Sequence, residues 1–178
     1  TKPIEEVIKL KNEYTVSVTL DTPYKKDTYY LNQSDFPDEN IDTNKLSQIV
    51  FVPYKNTCIC IPGDLTTDAW EKHLKNKNVQ EKLKQTQIFI ASHHGREDGF
   101  NDNVFKYCRP EVIILSDKDI IHKTQEGQTQ TYAGQVEGNG IVLNGKTDQL
   151  RKVLTTRSDG HIWIRIEDNG TRTYKSFT

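Results

Sequence analysis

The sequence predicts an α/β domain built on a mixed sheet with flanking helices. Short apolar runs typical of buried strands recur along the chain, and stretches with helical spacing separate them. Three of these runs, ending at Ile61, Ala91 and Leu115, lead directly into polar clusters. Strand–helix–strand units place consecutive strands parallel with right-handed crossovers. We therefore expect the three polar clusters at one edge of one sheet.

Composition narrows the classes of protein that fit. The 178 residues suit one domain or one large piece of a bigger one, and 34% of them are hydrophobic. A net charge of -1 gives no general basic field that would attract nucleic acid, although the composition does not exclude a local basic groove. No apolar run approaches the roughly 18 residues that span a bilayer, which predicts no membrane association. Three cysteines without CxxC spacing favour a reducing, cytoplasmic setting.

The first third of the chain contains three predicted strands. Alternation over residues 13–20 predicts the first strand, and the polar stretch 21–44 predicts a long loop. Apolar runs at 48–52 and 57–61 flank four turn-forming residues, which predicts a hairpin.

Helical patterns then alternate with strands. Thr66 or Thr67 can cap a helix that starts near Asp68, a second short helix is expected around Val79 and Leu83, and a third runs from Asn101 to Cys108. The remaining strands are predicted at 87–91, 111–115, 140–143, 152–156 and 161–166. An Asp-Gly pair between the last two favours a hairpin turn there.

The polar clusters predict a metal site. Asp64 follows the strand that ends at Ile61, the pair His93 and His94 follows Ala91, and His122 lies beyond Leu115. Because neighbouring strands are about 4.8 Å apart, carboxylate and imidazole groups on adjacent loops can meet at one ion. Asp and His are ligand types of zinc and manganese sites. We predict Asp64 and His93 as metal ligands, with His94 and His122 acting on the substrate.

Each of these residues also has a structural interpretation. Asp64 can occupy a turn or cap a helix, the two histidines can belong to a solvated loop, and His122 can lie in a surface loop. A ligating imidazole needs a partner for its second nitrogen. Ser92, Asp98 and Asp117 are the alternatives for that partner.

The motif order resembles the second half of the metallo-β-lactamase superfamily. The most similar branch is the soluble domain of bacterial competence DNA-uptake proteins and their free-standing relatives. The landmarks that carry the resemblance are Asn44 and Ser47, Gly63-Asp64, His93-His94-Gly95, Pro110 to Ser116, His122, and Thr156 to Gly160. The resemblance implies an αββα fold and a metal-dependent hydrolase with one or two zinc or manganese ions.

The sequence departs from this family in its first half. The family's His-x-His-x-Asp-His loop is absent, since no histidine precedes His73. We predict that residues 1–43, an N-terminal strand and long loop, are a remnant of the first half or dock to it, and that residues 44–178 form the carboxyl-terminal half. The rest of the family's first half then belongs to a partner or cleaved chain, or the true start of this chain lies upstream. Alternatively, the chain is a degenerate relative of the family. Arg96-Glu97 and Lys123 also differ from the family pattern.

The functional expectation follows from this resemblance. We expect a phosphodiesterase-like or nuclease-like hydrolase acting on a nucleic acid or nucleotide, with part of its site supplied by a partner carrying His-x-His-x-Asp-His. The alternatives are a catalytically inactive binding or assembly module and a nucleic-acid-binding domain without catalysis.

Overall fold

The α/β class is confirmed by a computed structural model that describes residues 4–9, 15–20, 26–37, 42–118, 127–144 and 150–177. The strands in this part of the chain are β1 (Ile4–Lys9), β2 (Thr15–Leu20), β3 (Asp27–Tyr29), β4 (Ile49–Tyr54), β5 (Thr57–Ile61), β6 (Ile88–Ile90), β7 (Val112–Leu115), β8 (Ile141–Asn144), β9 (Leu150–Arg151), β10 (Val153–Thr155), β11 (His161–Ile166) and β12 (Arg172–Phe177). The α-helices are α1 (Thr67–His73), α2 (Lys77–Lys84), α3 (Gln128–Ala133) and α4 (Thr156–Asp159).

The main sheet has the strand order β10-β7-β6-β5-β4-β3. Strands β5, β6, β7 and β10 run parallel, whereas β4 is antiparallel to both of its neighbours. The predicted hairpin between β4 and β5 and the predicted parallel order of β5, β6 and β7 are therefore confirmed. Because these three strands point the same way, their carboxyl ends meet at one edge of the sheet.

Two hydrophobic cores lie on the two faces of this sheet. On one face, Trp70, Leu83 and Tyr132 from the helical side pack with strand residues such as Phe89. On the other face, a second sheet with the order β11-β12-β8-β9 packs against β6 and β7. This second core contains Ile61, Ile88, Ile90, Val112, Ile114, Ile141, Leu143, Leu154 and Tyr174. The described residues thus form a helical layer followed by two sheets, and β1 and β2 form a separate two-stranded antiparallel sheet.

The predicted loop at 21–44 contains more structure than its polar composition indicates. It contributes β3 to the main sheet and two 3₁₀ turns, Gln33–Asp35 and Thr43–Leu46. Phe36 is buried, with the ammonium groups of Lys45 and Lys72 over its ring. The apolar anchors hold this segment against the body, and a loop prediction based on polarity alone misses them. The boundary at residue 43 and a docking role for residues 1–43 stay predictions.

Two local predictions are wrong. Asp159-Gly160 is not a hairpin turn, since β10 joins β7 in the main sheet while β11 joins β12 in the second. Asp159 is instead a buried acceptor for the Arg151 guanidinium and the Thr155 amide. The helix predicted from Asn101 to Cys108 is only a 3₁₀ turn, Val104–Lys106.

The buried His73 predicts a pH-dependent stability. The residue is 3% exposed, and its Nε2 has no hydrogen-bond partner in the part of the chain that the structure describes. Burial lowers the pKa of His73 from 6.5 to about 4, while Asp35 partly opposes the shift. Since the folded state disfavours the charged ring, this contribution to stability is complete above pH 6.5 and is lost as the pH falls towards 4. The loss is on the order of 3 kcal/mol at most.

Urea denaturation across this pH window measures the effect. The free energy of unfolding should fall more steeply with acid for the wild type than for His73→Leu, whose apolar side chain cannot become charged. Equal slopes for the two proteins would contradict the assignment.

Candidate functional site

The carboxyl ends of β5 and β6 bring Asp64 and His94 together. The Oδ1 atom of Asp64 lies 3.3 Å from Nε2 of His94, and both side chains are partly exposed. The amide of His93 donates a hydrogen bond of 3.0 Å to the carbonyl of Gly63. The Asp64 amide is held in turn by the Ser47 hydroxyl at 3.2 Å. Backbone contacts therefore fix the distance between the two loops.

The loop that carries the histidines has an unusual backbone. His93 (φ 48°, ψ 45°), His94 (φ 57°, ψ 23°) and Gly95 (φ 76°) are consecutive left-handed residues. This conformation costs about 1–3 kcal/mol for each non-glycine residue and persists only where the surroundings enforce it. A Cβ atom on Gly95 would lie 2.6 Å from Cγ of Leu115, so glycine is required there. The strain coincides with the residues that sequence analysis selects for function.

Helix α1 braces this loop from the helical side. The Trp70 indole donates a buried hydrogen bond of 2.7 Å to the Ser92 hydroxyl. The Thr67 hydroxyl lies 2.9 Å from the carbonyl of Asp98 and 2.8 Å from that of Phe100. The first turn of α1 therefore holds both ends of the segment that presents His93 and His94.

The His94 ring has a defined tautomer. Its Nδ1 lies 2.7 Å from the carbonyl oxygen of Ser116. Because a carbonyl can only accept, Nδ1 must carry the hydrogen, and in a neutral ring Nε2 then presents its lone pair. That lone pair faces a carboxylate oxygen of Asp64. Two acceptors in this position need a shared proton or a shared cation between them.

His93 is engaged elsewhere. Its Nδ1 lies 3.0 Å from Oδ1 of Asp98, an ion-pair distance without the alignment of a hydrogen bond. Its Nε2 lies 3.3 Å from a guanidinium nitrogen of Arg96. Since guanidinium can only donate, Nε2 of His93 accepts. His93 is 8% exposed, and its ring centroid is 6.4 Å from that of His94.

A buried carboxylate extends the cluster beyond His94. Asp117 follows Ser116 at the end of β7 and is 4% exposed. Its carboxylate accepts from the Arg157 amide at 3.3 Å and pairs with the Arg157 guanidinium at 2.9 Å. Burial raises the pKa of Asp117 above its ordinary value, while the amide and guanidinium of Arg157 oppose the shift. The Thr156 hydroxyl clamps the Asp117 backbone at both its amide and its carbonyl.

The structure thus brings together Asp64 and His94, places His93 beside them with other partners, and leaves His122 outside the described residues. The roles assigned to these four residues stay predictions. Sequence reasoning missed the Ser116 carbonyl and Arg157. Arg157 lies two residues after the end of the fourth parallel strand, β10, so the rule that selected Asp64 could have found it had 159–160 not been assigned to a hairpin.

Comparison with known proteins gives no relative. No protein family, no curated protein and no solved structure matches this chain. Within the described residues, no group of three or more His, Cys, Asp or Glu side chains is arranged to hold a metal ion. The helices in the same part of the chain are also too short and too polar to cross a membrane.

Gly99 offers a test of how the histidine loop is held. A Cβ atom there would lie 2.5 Å from the Ser92 carbonyl oxygen and 2.9 Å from Cβ of His93. Gly99→Ala should therefore displace the loop and lower the free energy of unfolding by about 1–3 kcal/mol. Urea denaturation and the histidine ring signals in NMR spectra measure the two effects.

Gly134→Ala is the matched control. Its Cβ atom would meet the nearest atom at 3.4 Å, and its φ of -65° suits alanine. The control should be neutral or slightly stabilising. Equal stability of the two variants would contradict the proposed packing.

Proposed function

We propose that this chain supplies one half of the site of a metal-dependent hydrolase, with Asp64 and His94 as the donors to a divalent cation. The proposal is carried by one observation. A carboxylate oxygen and an imidazole nitrogen face each other at 3.3 Å, while the other imidazole nitrogen is bound to a carbonyl. A lone pair and an anionic oxygen in this arrangement attract a cation.

The separation of these donors fits coordination to one ion. Nitrogen and oxygen ligands lie about 2.0–2.1 Å from zinc, and two such ligands at a tetrahedral angle are about 3.3 Å apart. The Ser116 carbonyl also supplies the outer contact that orients a ligating histidine. The proposal exchanges the roles predicted for the histidine pair: His94 becomes the ligand, and His93 holds the loop through Asp98 and Arg96.

Two donors do not make a complete site. Catalytic zinc sites use three protein ligands and an open position. The family that the sequence resembles supplies its other ligands from a His-x-His-x-Asp-His loop, so we propose a first half or partner chain that carries it. A zinc or manganese ion bound between the two halves supplies Lewis-acid stabilisation of charge on a phosphoryl oxygen.

A phosphodiester, as in a nucleic acid or nucleotide, is the substrate class that we propose. The guanidinium of Arg157 pairs with Asp117, whose neighbour Ser116 binds His94 through its carbonyl, and guanidinium groups suit phosphate recognition. We also propose a cytoplasmic location, because all three cysteines are buried and unpaired, which suits a reducing compartment.

A metal-free binding or assembly module is the second candidate. It is favoured by the small number of donors in the described residues, where no group of three ligand-type side chains occurs. In that case a proton joins Asp64 and His94 in an ion pair, and the pair has a structural role only.

Paramagnetic broadening by Mn²⁺ distinguishes the two candidates, since it reveals even a weak two-donor site. In NMR spectra of the chain, Mn²⁺ should broaden the signals of Asp64 and His94 first. Asp64→Asn should abolish the localised broadening because the amide is a much poorer donor. A partner carrying the missing histidines should convert the weak binding into stoichiometric binding.

Asp68→Asn is the control, because Asp68 is also a partly exposed carboxylate and already pairs with Lys45 at 2.6 Å. Its broadening pattern should match that of the wild type. Broadening that survives Asp64→Asn, or that is spread over the acidic surface, would favour the module and contradict the half-site.

A further inference from the structure

Strand β11 is an open edge of the second sheet. Among the described strands it pairs only with β12, so its outer backbone groups have no strand partner there. It is six residues long and contains no proline, and the charge of its one arginine, Arg165, is paired with Glu167 at 2.8 Å. Natural proteins usually protect such an edge with a charge, a proline or a bulge, because it is a template for another strand.

The inward side chains of β11 are incompletely covered. Ile162 and Ile164 pack against the second core, Ile166 lies on the same face of the strand, and all three are only half-buried. Tyr174, which pairs with Ile164, and Leu143 on the next strand are 3% and 1% exposed. One further strand beside β11 would complete this core.

The sequence of β11 is complementary to itself in one antiparallel register. If Ile164 lies opposite Ile164 of a second copy, Ile162 lies opposite Ile166, and the inner row is isoleucine throughout. Directly opposite residues in an antiparallel pair share a face, with Cβ atoms about 4.5–5.5 Å apart.

The outer face of the same register is also complementary. Trp163, which is 41% exposed and has the Lys175 ammonium over its ring at 5.4 Å, lies opposite Arg165, a second cation–aromatic pairing. His161 lies opposite Glu167, which directly follows the strand and pairs with Arg165 of its own chain. A register centred on Trp163 instead would place His161 opposite Arg165 and Ile166 opposite Gly160. It would lose both the continuous isoleucine row and the complementary outer pairs.

We propose that two copies of this chain form a twofold-symmetric dimer by antiparallel pairing of their β11 strands, centred on Ile164. The second sheets then join into one continuous sheet of eight strands. Such an isologous contact closes on itself and leaves no open β11 edge. This inference does not depend on the metal half-site.

Cysteine cross-linking tests both the contact and its register. In Ile164→Cys the two introduced thiols face each other across the twofold axis, so a short thiol cross-linker should yield a covalent dimer. Trp163→Cys and Arg165→Cys are the controls, since their thiols oppose Arg165 and Trp163 instead of each other. The native Cys58, Cys60 and Cys108 are buried and should not react.

Two further measurements keep the proposal falsifiable if Ile164→Cys fails to fold. Mixed Ile162→Cys and Ile166→Cys chains should cross-link to each other, and the unmodified chain should sediment at twice the monomer mass. Glu167→Lys should raise the dimer dissociation constant several-fold, because both symmetric His161–Glu167 contacts are lost together with the Arg165–Glu167 pair of each chain. A monomer at every concentration, or preferential cross-linking through position 163, would overturn the proposal.

Discussion

The parallel alignment of β5, β6 and β7 is the constraint on which the rest of this structure depends. The registers Cys60↔Phe89 and Ile90↔Ile114 end neighbouring strands at one edge. The backbone hydrogen bond from His93 to Gly63 then joins the two loops that follow. Without this alignment, Asp64 and His94 would lie apart, and neither a shared cation nor a shared proton could connect them. The two cores on the faces of the sheet stabilise that alignment.

The fold concentrates strain where the chemistry is proposed. Two left-handed histidines are held by an indole–hydroxyl bond from α1, by the close packing of Gly95 on Leu115, and by Gly99 beneath Ser92. These contacts fix the direction of the rings. The carbonyl of Ser116 determines which nitrogen of His94 faces Asp64. The two ring nitrogens of His93 instead contact Asp98 and Arg96. Adjacent histidines of identical chemistry thereby have different environments.

Apolar periodicity could predict the α/β class and the parallel centre of the main sheet, because β5, β6 and β7 are short runs of buried residues bounded by turns. The same reasoning placed Asp64 and the histidine pair at one sheet edge. It could not assign the partner of each ring, because that depends on left-handed backbone angles and on a carbonyl that sequence does not distinguish. It also failed where tertiary packing prevails over local signals. The buried Phe36 fixes a segment that its polar composition predicts as a loop, and the buried Asp159 accepts hydrogen bonds from the Arg151 guanidinium and is not part of a hairpin turn.

We propose that Asp64 and His94 converge on a shared divalent cation. Anomalous diffraction at the zinc edge, from crystals of the chain grown with zinc, shows whether an ion lies between them. We expect a peak within bonding distance, about 2.0–2.2 Å, of both Asp64 Oδ1 and His94 Nε2. A peak between His93 and Asp98, or an unchanged Asp64–His94 contact with no peak beside it, would contradict the proposal.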